Sequence, residues 1–118
     1  DEELSMEGYE DEVSLEEDEE PLGAIFPLET FVVNLTEGGY LRCQVQLEFE
    51  TRDIPKRFYV RQVPIRDAIL GLFSARTKKD LSKEDGRRQI KKDIRELINE
   101  ILRRQEVRHV YFTQFVVQ

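Results

Sequence analysis

His109 is the only histidine of the chain and Cys43 its only cysteine, so nucleophilic or acid–base chemistry would have to be assembled around one of these two. His109 falls in an apolar, strand-like segment with no serine or cysteine partner suggested by local spacing, and a structural role is expected of it. Cys43 occupies the apolar phase of an alternating segment, where a thiol serves as a small buried hydrophobe. A single cysteine also excludes an internal disulfide and cysteine-rich metal sites. Glu48 and Glu50, two positions apart, are expected on the wet face of the same segment, a placement that solubilises and does not form an acid–base pair. Gly38-Gly39 sits where a hairpin must turn and the remaining glycines are isolated, so no phosphate-cradling loop is expected. Asn34-Leu35-Thr36 matches a glycosylation sequon, which has meaning only along a eukaryotic secretory route. These residues predict no enzyme, no cofactor and no metal centre.

Charge is the stronger signal. Arg87, Arg88, Lys91, Lys92 and Arg95 form a cationic stripe on a helical pattern, partly offset by Glu96 and Glu100 at i+4 spacings. Such a stripe could follow phosphates, giving a soluble nucleic-acid-binding or adaptor module as one alternative. Against nucleic acid stand a body of only +5, the lack of an evident exposed aromatic platform and a tethered acidic tract that would compete for the surface. The favoured reading is a protein-facing or solvated helix.

The elements that position these residues follow from periodicity. In residues 28–35, Phe31, Val33 and Leu35 alternate with Thr30, Val32 and Asn34, the pattern of a strand with one apolar face. Thr36-Glu37-Gly38-Gly39 supplies a turn, and Tyr40 to Glu50 alternates without a break. From Asp53 to Ser74 the period becomes helical: Asp53 is expected to cap, Pro55 to lie in the first turn, and Pro64 to break or kink the segment near Val63. Ile65, Ala68, Ile69, Leu72 and Phe73 make a core stripe. A short connection leads to a last helix in which Ser82 and Asp85 read as a capping box, Ile90, Ile94, Leu97, Ile98, Ile101 and Leu102 face inward, and Arg103 and Arg104 close the final turn. The segment 107–118 is apolar at nearly every position from Val110 to Val117, which predicts a strand enclosed within the sheet with little freedom to face water. The fold expected is α+β: a small, three-stranded, mainly antiparallel sheet with two main helices packed on one side.

Length and composition set the frame. The 118 residues suffice for one domain. Of 25 acidic side chains, 12 fall in residues 1–20 with no base among them, so the net charge of −7 divides into −12 there and +5 beyond. An acidic, flexible linker is expected over residues 1–24 and a single domain over 25–118. A calcium site in the tract is not expected, because alternating oxygen ligands around a turn glycine are missing. No apolar run reaches the roughly 18 residues of a membrane span, and the acidic beginning is no signal peptide. With Asp1 first and Met6 the sole methionine, the chain is expected to be a piece of a longer protein whose upstream anchor lies outside it.

The segments PLETFVVNL (27–35), YLRCQVQLEFE (40–50), IRDAILGLFSARTKKDL (65–81) and VYFTQFVVQ (110–118), in this order and spacing, resemble the extracytoplasmic domain of the flagellar basal-body-associated FliL family. The specific combination is the proline-led first strand, Arg66-Asp67 opening an apolar helix, Ser74 followed by Thr77 and Asp80-Leu81, and an aromatic strand ending in Gln118. The sequence departs from that pattern at Ala75, where a second serine is common, at the basic pair Lys78 and Lys79, and at Cys43. The resemblance implies a stomatin- and prohibitin-like fold and a single-span inner-membrane protein whose domain lies on the periplasmic side, with the acidic tract as linker. It further implies self-association into a ring and a position around the flagellar stator proteins MotA and MotB, where the family helps stators engage and persist under load; within such a ring the stripe of Arg87, Arg88, Lys91, Lys92 and Arg95 is expected to face acids such as Glu48 or Glu50 on a neighbouring copy. No cofactor, catalytic residue, metal or nucleic acid is implied.

Overall fold

A computed structural model describes residues 23–118. The expected linker over 1–24 lies outside the described residues apart from Gly23 and Ala24. The elements run β1 (Ile25–Pro27), β2 (Phe31–Asn34), β3 (Tyr40–Phe49), α1 (Lys56–Val60), α2 (Gln62–Ser74), α3 (Lys78–Ser82), α4 (Glu84–Leu102) and β4 (Val107–Val117). All strand pairings are antiparallel, and β3 pairs with each of the other three.

The α+β expectation holds, with four strands among the described residues where three were expected. The fourth arises because β1 and β2 occupy one flank of β3 in succession. β1 pairs with residues 46–48 and β2 with residues 40–43, while β4 spans nearly all of β3 on the other flank. Between β1 and β2 the chain leaves the ladder at Glu29 and Thr30, whose carbonyls accept hydrogen bonds from the Arg66 guanidinium at 3.0 Å each. That guanidinium also lies 4.0 Å from the Phe31 ring centroid, so one side chain satisfies the gap and covers its aromatic neighbour. The turn after β2 needs three positive φ values, Glu37 (68°), Gly38 (106°) and Gly39 (88°). A Cβ on Gly39 would also stand 2.7 Å from the Gln118 carbonyl oxygen.

One face of the sheet packs against the helices. The apolar phase of β2 and β3, Phe31, Val33, Leu41, Cys43, Val45, Leu47 and Phe49, is buried against Ile65, Ile69 and Phe73 of α2 and Ile90, Ile94, Ile98 and Leu102 of α4. Each such large side chain contributes about 1.5–3 kcal/mol on leaving water. Leu97 and Ile101, expected inward, are half-buried.

Helix boundaries differ from the sequence expectation, and each difference has a local cause. Asp53 does not cap; Pro55 holds the cap position of α1 in extended backbone, and the Phe58 N–H bonds its carbonyl. The break falls at Arg61 (φ −106°), three residues before Pro64, which then sits in the first turn of α2, where a missing N–H leaves nothing unpaired. The capping box forms one turn earlier than Ser82 and Asp85: Asp80 N–H donates to Thr77 Oγ1 and Thr77 N–H to Asp80 Oδ2, opening the extra helix α3. Ser82 instead donates to the Lys78 carbonyl. Gly86 permits the close approach of α4 to α3, since a Cβ there would lie 1.8 Å from the Asp80 carbonyl oxygen. At its other end α4 stops at Leu102, and Arg103 adopts a left-handed conformation (φ 62°) beyond the last turn. Among the described residues β4 is not enclosed: it pairs there with β3 alone, and Tyr111 (39 %) and Val116 (43 %) are exposed on the sheet face away from the helices.

Candidate functional site

The five cations of the stripe share a helix but separate into two roles. α4 runs antiparallel to β4, and its line of Arg87 and Lys91 lies over the strand. The Arg87 guanidinium donates to the Leu81 carbonyl at 2.9 Å and lies 5.9 Å from the Phe115 ring, and Lys91 Nζ lies 5.2 Å from the Phe112 ring. Both are half-buried, because their stems cover apolar surface while the charge stays at the rim. Arg88 and Lys92 point outward. Arg88 is held by Asp85 (2.6 Å) and Glu84 (3.6 Å) on its own helix, an exposed cluster of small energetic weight. Lys92 lies beside Asp85, Arg88 and Gln89 in a shallow surface groove. Arg95 lies one turn beyond Lys91, at the rim of an open basin formed with Glu96, Asn99, Glu100 and Arg103.

The two acids named with the stripe part company as well. Glu50 is exposed. Glu48, expected on the wet face, is 1 % exposed, so that expectation is corrected. Its carboxylate accepts from Tyr111 Oη at 2.5 Å, from the Arg108 guanidinium at 2.7 Å and from the Gly23 N–H at 3.3 Å. Burial alone would raise its pKa, but the three hydrogen bonds and the Arg108 charge outweigh it and hold the carboxyl below the ordinary range. Conversely, the bond to Glu48, burial and the carboxylate charge push the Tyr111 hydroxyl up. Glu48 therefore ties β3 to β4 and to the start of β1, and is not presented to a neighbour. Sequence spacing gave no access to this, since the register that sets Glu48 opposite His109 depends on a bulge between Glu48 and Phe49.

The catalytic candidates stay apart. Cys43 is buried, and desolvation, opposed by Lys91, pushes its thiol up to about 12, in keeping with the buried-hydrophobe reading. His109 is exposed on the open sheet face with its ring 6.1 Å from that of Tyr111. Among the described residues no group of three or more His, Cys, Asp or Glu could hold a metal ion, and no helix is long and apolar enough to cross a membrane. Sequence reasoning missed a second surface feature: Tyr59 (52 %), Val60 (77 %) and Val63 (80 %) are exposed together around the α1–α2 break. They belong to neither core stripe, which is the only signal the sequence carried for them.

Comparison with known proteins adds the lineage. A family model, flagellar basal body-associated protein FliL, matches residues 25–118. A flagellar protein FliL of Aquifex aeolicus (strain VF5) is 34 % identical over 101 residues, covering 82 % of this chain and 63 % of that protein. A flagellar protein FliL of Bacillus subtilis (strain 168) is 24 % identical over 91 residues, covering 77 % of this chain and 65 % of that protein. The chain thus spans a little under two thirds of the length of these curated relatives.

Proposed function

Because this chain belongs to the flagellar basal body-associated FliL family, we propose that it is an accessory domain of the flagellar basal body that works by protein contact and not by catalysis. The observation carrying this reading is the family match across residues 25–118, which is nearly all of the described chain. In the full reading the domain lies on the periplasmic face of the inner membrane, held by a single upstream span, and copies of it form a ring around the stator proteins MotA and MotB that supports stator engagement under load. The outward cations Arg88 and Lys92, with Arg95 at the rim, supply the surface for a neighbouring copy, and Glu50 the acid facing them. Contacts of this kind are weak between isolated domains and gain strength when tethering raises the local concentration.

The test is to image the tagged full-length protein in its own cells. Foci at flagellar bases that fade or redistribute without MotA and MotB are the expected result; a diffuse cytoplasmic signal would overturn the reading. The interface is tested separately by the double charge reversal R88E/K92E, which is expected to abolish ring assembly of the full-length protein; unchanged assembly would remove these residues from the interface. The alternative, a nucleic-acid-binding module, predicts salt-sensitive retention on DNA at physiological ionic strength. It is disfavoured by Arg87 and Lys91, which spend their cationic ends over β4 aromatics.

A further inference from the structure

No described element covers the sheet face opposite the helices. That face is built by the even-numbered residues of β3 and their cross-strand partners. Ile25 pairs with Glu48, Tyr111 with Gln46, and both Val32 and Val116 with Arg42. With Tyr40, these are five of the eight large apolar side chains exposed among the described residues, so the apolar surface the domain leaves open gathers mainly here. A sheet face that meets only water carries polar side chains at such positions.

The polar residues between them are uncharged and already engaged. Gln44 donates to the Leu28 carbonyl at 3.3 Å and accepts from Thr113 at 3.2 Å, and Gln46 donates to Thr113 Oγ1 at 3.4 Å. Glu48 is neutralised by Arg108. Covering this centre therefore strands no lone charge. Exposed charge stands at the two ends of the same strand phase: Arg42 four residues before Gln46, and Glu50 four residues after it. Neither enters an ion pair among the described residues.

That arrangement is complementary to itself under one operation. A two-fold axis lying between two stacked sheets, perpendicular to β3 and passing over Gln46, reverses the strand. Arg42 of each copy then faces Glu50 of the other, Val32 of each comes beside Ile25 of the other, and the two Tyr111 rings meet near the axis. An axis parallel to the strand would instead set Arg42 on Arg42. Stacked sheets lie about 10 Å apart, a gap that arginine and glutamate side chains reach across from opposite sides. Because β1 and β2 lie in line, the sheet is three strands wide. At about 4.8 Å per strand and about 3.4 Å per residue over the 10 residues of β3, the face measures about 14 by 34 Å. Two such faces amount to about 1,000 Å², the lower limit of a specific interface.

We infer that the open sheet face docks a second copy of this chain, face to face about this axis, as a weak two-fold dimer held by two Arg42–Glu50 pairs around an apolar, uncharged centre. This inference does not rest on the flagellar reading, and it gives Glu50 a different counterpart from Arg88 and Lys92.

Sedimentation equilibrium of the 118-residue chain at physiological ionic strength, from about 1 μM to about 1 mM, tests it. The wild type is expected to pass from monomer to dimer within this range. Arg42→Glu and Glu50→Arg should each weaken the dimer at least about tenfold, since each sets like charges against one another twice. The double variant R42E/E50R should recover the wild-type constant to within about threefold. R88E/K92E should leave it unchanged. Both Arg42 and Glu50 are exposed, so the variants should fold, which an unchanged circular dichroism spectrum reports. A chain that stays monomeric throughout would overturn the proposal, as would a dimer that both single reversals leave intact or that the double reversal fails to recover. Loss of the dimer in R88E/K92E would overturn it in favour of a contact through α4.

Discussion

Along one flank of β3 the partner strand is interrupted at Glu29 and Thr30, and the Arg66 guanidinium fills the interruption from α2. Along the other flank β4 runs for 11 residues, bent by two irregularities and carrying Gln114 at a positive φ of 53°, with Arg87 and Lys91 overhead. The first flank closes its own polar groups; the second leaves Val110 and Phe112 with backbone groups facing outward. A bulged strand under a row of cations resists casual edge pairing. The difference teaches that a single central strand can be sealed on one side by a side chain and guarded on the other by a bulged strand lying under cations.

The largest expected effect attacks the join between β3 and β4. Glu48→Ala should cost about 3 kcal/mol, because it removes one partner of a buried, hydrogen-bonded charge pair and leaves the Arg108 guanidinium, itself largely buried, without that carboxylate. Urea denaturation monitored by circular dichroism would show it as a lower midpoint; an unchanged midpoint would mean that the carboxylate is not structural. The effect also has a pH signature. A depressed carboxyl contributes stability that is present above its unfolded pKa of about 4.3 and is lost as pH falls through the lower folded value. The wild type and the variant should therefore converge in strong acid. Tyr111, raised instead, contributes stability that is present below its unfolded value and lost as pH climbs through the folded one, at the alkaline end.

On the opposite flank, Arg66→Ala should cost about 2 kcal/mol through two lost charge-assisted hydrogen bonds and the contact with Phe31. Arg66→Lys should rescue little, since an ammonium cannot bridge both carbonyls with a planar fork. Full rescue by lysine would show that charge alone closes the gap. The smallest effect belongs to the overhanging row: Lys91→Gln should lower stability by only about 0.5 kcal/mol, since its contact is with a half-buried ring at the rim. A loss several times larger would mean that Lys91 belongs to the core and not to the edge.

How far the sequence reached can be judged from these same residues. Tyr40 to Glu50 was legible because its alternation is unbroken, and the stripes on α2 and α4 because burial repeats with the helical period. The break between β1 and β2 was not, since it is made by Arg66, 36 or more residues away, and nothing local announces it. The Thr77–Asp80 box won over Ser82 and Asp85 because Gly86 allows α4 to pack tightly on α3, a tertiary matter. At the candidate surface the cations were found but not their division, which depends on α4 lying over β4. Glu48 was misplaced because alternation assigns a face without saying what a neighbouring strand puts there. The apolar composition of β4 suggested enclosure, whereas the strand is covered by helices on one face only.

The positions of Gly23 and Gln118 also fix how the domain bears tension. Gly23 lies at the Phe49 end of β3, and Gln118 pairs with Tyr40 at the opposite end. A pull between these two points drags β1 one way along β3 and β4 the other, so the ladder is loaded in shear and its hydrogen bonds resist together. Peeling, in which bonds yield one after another, would require pulling both ends from the same side of the sheet. A domain wired in this way holds its shape against a lengthwise load and gives way most readily to a sideways one.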